Sequence, residues 1–174
     1  MIKVQIAGFD ALINKIDKMS ADAQIDVQLA LNDWADRTSM DAKQLVSSNS
    51  SDEGGLLNSI HPQYGKMTAS VVASANYAAY IEFGTRKFAA AYVGTLPADW
   101  AQYASTFKGK GTGSFKEFLK AIMGWVKRKG IDEKAAYPIA RKILRDGIKA
   151  RPFLYPSAQK NLPLLKEDLK AIFK

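Results

Sequence analysis

The sequence predicts an α+β protein in which a small antiparallel sheet packs against a long N-terminal helix and a C-terminal helix, with a helical insertion between them. Apolar and polar residues alternate on both sides of Gly65 and Lys66, a pattern typical of a β-hairpin. Apolar residues recur at helical spacing in residues 20–46 and again near the C-terminal end, which indicates two amphipathic helices. A lysine- and glycine-rich stretch at 108–113 interrupts the pattern, so we expect inserted structure around it.

The N-terminal segment is expected to form one strand and two helices. The alternation in Ile2–Ile6 predicts a half-buried strand that ends at Gly8. A helix capped by Asp10 follows, with its apolar residues at Phe9, Leu12, Ile13, Ile16 and Met19. A longer helix is predicted from about Ser20 to Val46, and one of its faces carries Val27, Leu31, Trp34, Thr38 and Leu45.

The hairpin follows a polar loop. Residues Ser47–Gly55 are rich in serine and end in two glycines, so they are expected to stop the long helix. The two strands of the hairpin are predicted at Leu57–Tyr64 and Met67–Ala75.

A mainly helical, basic insertion is predicted at 86–147. It contains the flexible linker Lys108–Gly113 and then the capping-box spacing of Ser114 and Glu117. The helix behind this box has an apolar stripe that is expected to pack on the rest of the protein: Phe115, Phe118, Leu119, Ile122, Met123, Trp125 and Val126. Cations near the C-terminal end of this helix and Gly130 after them are expected to end it. A further helix is expected at Glu133–Asp146, with Pro138 in its first turns and Gly147 as its stop.

The C-terminal segment is expected to return to the core. The stretch "RPFLYP" predicts a rigid turn, and the terminal helix behind it would cover the sheet with Leu162, Leu165, Leu169 and Ile172. The predicted domains are therefore an α+β core made of 1–85 together with 148–174, and the insertion 86–147.

Charge is divided unevenly along the chain, whose formal net charge is +8. Up to Thr106 there are 8 Lys or Arg against 11 Asp or Glu, and from Phe107 onward there are 17 against 6. The basic second part favours an acidic partner, which is either nucleic acid or the negative face of another protein. Solubility alone is the alternative explanation of this excess of cations.

The composition removes most catalytic chemistries. The absence of cysteine and the single histidine exclude disulfides, thiolate nucleophiles and ordinary zinc sites. The linker is not a phosphate loop, because Ser114 and Phe115 follow Gly113 with no lysine between them. No apolar run is long enough to span a membrane and no secretory signal opens the chain, so folding in a cytoplasm is expected.

Glu82 is the only carboxylate within an otherwise apolar and aromatic stretch. Its surroundings could make it a general acid or base, but ion pairing with Arg86, Lys87 or Arg151 is the better interpretation. We therefore predict no catalytic residues, no cofactor and no metal.

Two motifs in this order resemble the gp-ten-like neck or tail-completion proteins of long-tailed bacteriophages and prophages. The first is "YAAYIEFGTRK", in which the family's acidic residue, aromatic residue and Gly-Thr pair match Glu82, Phe83, Gly84 and Thr85, with Arg86 next. The second is "GIKARPFLYPSAQKN", in which Arg151, Pro152, Phe153, Leu154, Pro156 and Ala158 match. Ser157 between the last two departs from the usual pattern.

The resemblance implies a non-enzymatic structural protein of the virion, assembled in the cytoplasm of a host bacterium. Such proteins form rings of identical subunits at the head-to-tail junction, so the implied partners are other copies of the chain and the neck, connector or tail proteins, with DNA in the lumen as a further contact. The insertion carries cations that could meet such partners: Lys127, Arg128, Lys129, Arg141, Lys142 and Arg145.

The alternative interpretation is a nucleic-acid-binding protein. In that case the same six cations, joined by Lys108 and Lys110, would contact phosphates, and binding would weaken steeply with salt.

Overall fold

The structure is a computed structural model that describes residues 1–5, 20–49, 54–107 and 114–172. The helix predicted around Phe9–Met19, its cap Asp10 and the linker Lys108–Gly113 lie outside the described residues, as do Ile6 and residues 50–53 of the polar loop. The chain divides into two compact units. The core unit consists of 1–82 and 151–174, and the insertion unit consists of 83–150.

The core unit contains a three-stranded antiparallel sheet. Its strands are β1 (Ile2–Gln5), β2 (Ile60–Gly65) and β3 (Thr68–Ala73), and β3 lies between the other two. Residues 69–73 of β3 are all buried, because a central strand covered on both faces has no solvent side. Pro62 lies on β2, an edge strand of this sheet. Proline has no backbone N–H, and an edge strand tolerates it because one side of the strand makes no ladder hydrogen bonds.

The hairpin prediction is confirmed, but its start was wrong. Leu57 belongs to a short helix, α2 (Gly55–Asn58), and the strand begins only at Ile60. Gly54 precedes this helix in a left-handed conformation, with φ of 75°, and its carbonyl accepts from the amide of Asn58 at 2.9 Å. Apolar residues at 56 and 60 fit one helical turn as well as they fit a strand, so alternation alone could not separate the two.

The long helix α1 (Ala21–Asn49) carries most of the predicted apolar face into the core. Val27, Leu31, Trp34 and Thr38 are buried, whereas Leu45 is only half-buried and the neighbouring Val46 is buried in its place. The helix begins where expected, since the Ser20 hydroxyl accepts from the amide of Ala23. It continues three residues past Val46.

The terminal helix α8 (Leu154–Ile172) packs chiefly along α1, so the prediction that it covers the sheet was only partly right. It reaches the sheet at β1. Polar pairs fix it on α1: Arg37 binds Asp168 at 2.8 Å, and Asp41 accepts from Lys160 at 2.9 Å and from Asn161 at 2.8 Å. Burial opposes ionisation of Asp41, but these two hydrogen bonds hold its pKa below the usual value.

All regular secondary structure in the described part of the insertion unit is helical. Helix α3 (Ala78–Phe83) ends at the first residue of this unit. The helices that follow are α4 (Arg86–Val93), α5 (Ala98–Ser105), α6 (Phe115–Arg128) and α7 (Ala136–Asp146), with a 3-10 turn at Glu133–Ala135. The capping box is confirmed: Glu117 donates its amide to the Ser114 hydroxyl and accepts from the Ser114 amide. Gly130 and Gly147, both at positive φ, follow α6 and α7 as predicted.

The apolar stripe of α6 is only partly covered. Val126 is buried, but Phe115 and Met123 are exposed. Phe115 contacts Tyr137 of α7 edge to face, with ring centroids 5.9 Å apart. Helix α6 therefore packs on α7 and leaves part of its apolar surface to solvent.

Candidate functional site

The buried carboxylate of Glu82 completes the start of the terminal helix. Its Oε2 accepts from the backbone amides of Phe153 at 2.7 Å and Leu154 at 2.9 Å, and its Oε1 accepts from Tyr155 at 3.0 Å. The first amides of a helix have no partner within the helix and carry a partial positive charge. Helix α3 places Glu82 directly at those amides, so a side chain from one segment caps a helix from another. We call this arrangement the Glu82 clamp.

A backbone bond beside the clamp holds the same two segments. The amide of Arg151 donates to the carbonyl of Ile81 at 2.8 Å. Pro152 follows. Proline has no backbone N–H, so this residue adds no donor that would need a partner. The first and second sequence motifs therefore meet in the core unit, at 81–82 and 151–155.

The chemistry of Glu82 follows from its surroundings. Its side chain is fully buried, and burial raises the pKa of the carboxyl group, while the three amide donors work in the opposite direction. A carboxyl group with no exposed surface and with both oxygens engaged is not placed to exchange a proton with a substrate. The ion pair of Glu82 with Arg86 or Arg151 stays a prediction, because the hydrogen bonds that the structure gives for the Glu82 oxygens come from backbone amides.

Tight backbone packing joins the two ends of the insertion unit. The amide of Thr85 donates to the carbonyl of Ile148 at 2.9 Å, and the amide of Ile148 donates to the Thr85 hydroxyl at 2.7 Å. Gly84 has φ of 73°, and a Cβ there would lie 2.8 Å from both the Ile148 oxygen and the Ala150 nitrogen. A Cβ on Gly147 would overlap the carbonyl of Thr85. Glycine is therefore required at 84 and 147.

The bend at Gly84 continues to the start of α4. Arg86, the first residue of that helix, also has a positive φ, 53°, which side chains other than glycine rarely adopt. Thr85 between them is extended and precedes α4. The backbone therefore bends within three residues at the start of the insertion unit.

Phe83 lies at the centre of an aromatic cluster in the insertion unit. Its ring centroid is 5.9 Å from those of Trp100 and Phe107 and 6.3 Å from that of Tyr103. Phe83 is buried, and such a cluster adds specific ring contacts to the apolar area that it buries. The aromatic residue of the first motif thus holds α5 in place.

The six predicted contact cations all lie on exposed surface of the insertion unit. Lys127 and Arg128 end α6 and Lys129 follows it, whereas Arg141, Lys142 and Arg145 lie on α7. The α7 cations line a shallow groove together with Pro138 and Leu144. Arg145 also donates twice to Asp146, at 3.2 Å, so part of its hydrogen-bonding capacity is already used.

Residues 10–84 match a protein-family model described as "HK97-gp10_like: Bacteriophage HK97-gp10, putative tail-component". Residues 10–84 therefore carry the sequence signature of a phage tail-component family. The matched segment covers α1, strands β2 and β3, and the first motif as far as Gly84, so Thr85 and Arg86 of that motif lie outside it. Comparison with curated proteins and with solved structures gave no significant match.

The HK97-gp10-like match does not reach the second motif or the insertion. For residues beyond 84 the likeness to tail-completion proteins rests on the motif at 151–158 and stays a prediction. The geometry gives that motif a role of its own, because its amides at 153–155 are the partners of Glu82.

The partners of Glu82 and two helices of the insertion unit were not predicted from the sequence. The clamp's donors were missed because backbone amides leave no trace in composition, although Pro152 just before an apolar helix signals a helix start. The helices α4 and α5 were not predicted individually. Pro97 and Asp99, followed by Trp100, Tyr103 and Phe107 at helical spacing, could have indicated α5.

Metal binding and membrane crossing can be judged for the part of the chain that the structure describes. In it, no group of three or more His, Cys, Asp or Glu side chains could hold a metal ion. None of its helices combines the length and the apolar composition that crossing a bilayer requires.

Proposed function

We propose that this chain is a structural virion protein of a long-tailed phage or prophage that acts in tail completion or head-tail joining. The observation that carries the proposal is the match of residues 10–84 to a family described as a tail component. The work proposed is contact between proteins, with no chemical step, and the place of action is the neck or the tail end of the virion.

We propose further that the protein assembles as a ring of identical copies on neighbouring neck, connector or tail proteins. In a cyclic ring each copy presents two different faces to its neighbours. The insertion unit supports this idea, because its two ends are held together by the bonds between Thr85 and Ile148 and by the glycine-dependent bend at Gly84. An exposed, partly apolar helical unit held in this way is suited to contacting a neighbour.

The test is a phage or prophage in which the gene is interrupted by an early stop codon. The proposal expects electron micrographs to show unjoined heads and tails or malformed tails, and expects a plasmid copy of the gene to restore complete particles. Normal infectious particles without the protein would contradict the proposal. Sizing of the purified protein should show monomers or weak association alone, and rings once its tail or connector partner is added.

DNA binding is the second candidate function. It is favoured by the exposed cations Arg141 and Lys142 of α7, a helix that lies in the basic part of the sequence. A titration with duplex DNA at increasing salt separates the two candidates. Phosphate contacts predict an affinity that falls steeply with salt, whereas a protein that works only by assembly should bind little DNA at physiological salt.

A further inference from the structure

The exposed face of the first half of α1 is acidic and partly apolar. It consists of residues that fall within one stripe along the helix, opposite the buried Val27, Leu31 and Trp34: Asp22, Ile25, Asp26, Leu29, Asp33 and Asp36. Ile25 and Leu29, one turn apart, remain 57% and 58% exposed. Residues 21–36 contain four Asp and no Lys or Arg. We call this surface the acidic face.

Among the residues that the structure describes, two of the four aspartates on the acidic face have partners. Asp33 pairs with Arg37 at 2.8 Å, and Asp36 accepts from the Tyr64 hydroxyl at 2.6 Å. Asp22 and Asp26, in the first two turns of α1, are therefore the charges best placed to meet the cations of a partner.

An exposed side of α7 has the opposite charge and also carries apolar residues. Arg141, Lys142 and Arg145 line its groove together with Pro138 and Leu144. Tyr137, 55% exposed, lies one turn before Arg141 on the same side. We call this surface the basic groove.

The two surfaces match in length as well as in charge. At a rise of 1.5 Å per residue, the 15 residues from Asp22 to Asp36 span about 21 Å and the 11 residues of α7 about 15 Å. Two helices of these lengths can lie alongside each other with Asp side chains facing Arg and Lys. Ile25 and Leu29 would then be covered by the apolar groups of the groove, which removes their surface from water.

We infer that the acidic face of one copy binds the basic groove of a second copy of this chain. The inference rests on the proposed ring assembly and names the surfaces that would form it. The contact joins two different surfaces, so it is heterologous and generates a ring when the rotation between copies closes. Duplex DNA is a poorer occupant of the groove, because phosphates make no use of the exposed Tyr137 and Leu144.

Single cysteines test the contact directly, since the chain has no cysteine of its own. Chains carrying Leu29→Cys and chains carrying Leu144→Cys, with tags of different mass, are mixed at a concentration high enough to populate weak association and are then oxidised, so that any disulfide between the two kinds joins two molecules. We expect severalfold more mixed disulfide than in a control mixture of Leu29→Cys with Leu164→Cys, whose substitution lies at an exposed position of α8. Equal yields in the two mixtures would overturn the inference.

Charge reversal then tests whether the named residues make the contact. Asp22→Lys with Asp26→Lys is added to the Leu29→Cys chain, or Arg141→Glu with Lys142→Glu is added to the Leu144→Cys chain. Either reversal alone should reduce the mixed disulfide to the control level. Combining both reversals, each in its own chain, should restore it. Undiminished crosslinking in either reversed mixture would overturn the inference, as would failure of the combination to restore it.

The outcomes separate this contact from the function proposed above. If the gene is needed for complete particles but the disulfide stays at the control level, the function stands and the contact is rejected. If the disulfide forms as expected but particles are complete without the gene, the contact stands and the function is rejected. If Arg141→Glu with Lys142→Glu abolishes salt-sensitive binding to duplex DNA and leaves crosslinking intact, the groove's occupant is DNA and the inference is overturned.

Discussion

Glu82 and Phe153 are 71 residues apart in sequence, yet Oε2 of Glu82 lies 2.7 Å from the backbone nitrogen of Phe153. The same carboxylate accepts from the next two amides, which are the first two of α8, so it takes up the donors at the start of this helix. Since Glu82 is fully buried, water cannot replace it as their partner. The start of the terminal helix therefore depends on a side chain from α3.

Replacing Glu82 with glutamine should destabilise the core unit by about 3 kcal/mol, because hydrogen bonds to charged groups contribute more than neutral ones and a buried donor without a partner is costly. The glutamine oxygen can keep some of the bonds, but its NH₂ group would face an amide that also donates. Urea unfolding followed by circular dichroism measures the loss.

The control for this change is Glu167→Gln, at an exposed position on α8, which should alter stability by no more than about 0.5 kcal/mol. If Glu82→Gln is as mild as Glu167→Gln, the clamp contributes little to the stability of the core unit.

Gly84 offers a test of the bend. Gly84→Ala should cost the insertion unit about 3 kcal/mol, since alanine disfavours a positive φ and its Cβ would lie 2.8 Å from two backbone atoms. Gly130→Ala is the matched control: its φ is also positive, 65°, but nothing lies within 4 Å of the added Cβ. It should cost about 1 kcal/mol.

Hydrogen exchange of the insertion amides, measured by mass spectrometry, reports on this unit separately from the core. Equal effects of the two substitutions would mean that the positive φ alone determines the loss of stability, and that the closeness of the added Cβ to the backbone of residues 148 and 150 adds nothing.

The contact between α1 and α8 contains two bonds to Asp41 that should differ in strength. Asn161 is buried and donates both to Asp41 and to the carbonyl of Ser157, so Asn161→Ala should cost about 2 kcal/mol. Lys160 binds the same carboxylate but is 69% exposed, so Lys160→Ala should cost no more than about 0.5 kcal/mol. Urea midpoints of the two variants compare them, and a larger loss for Lys160→Ala would contradict the assignment.

The α+β class, the hairpin and the capped helix α6 could be predicted because each depends on local patterns. Alternation around Gly65, the face of α1 and the Ser114–Glu117 spacing are all visible within a few residues of sequence. The partners of Glu82 could not be predicted in this way. They are backbone amides 71 to 73 residues away, and every residue type except proline provides one. The exposed part of the α6 stripe was missed for a related reason: periodicity shows which face is apolar but not how much of it another element covers.

Asp146 predicts how the insertion unit responds to acid. Hydrogen bonds from Arg145, at 3.2 Å, and from Lys87, at 2.9 Å, lower the pKa of Asp146 from 3.8 to about 2. The folded state thus binds this proton less readily than the unfolded state does. The stabilisation is therefore complete above pH 3.8 and is lost as the pH falls through about 2.

The Asp146→Asn variant should lose this part of the pH dependence, whereas Asp99→Asn, a change at an exposed position of α5 in the same unit, should keep it. Hydrogen exchange of the insertion amides between pH 4 and pH 2 gives the comparison, and an NMR titration of the carboxyl carbon gives the pKa directly. Both cations are largely exposed, so added salt should weaken the effect. An Asp146 that titrates near 3.8 in the folded protein would show that the two hydrogen bonds do not hold the carboxylate in solution.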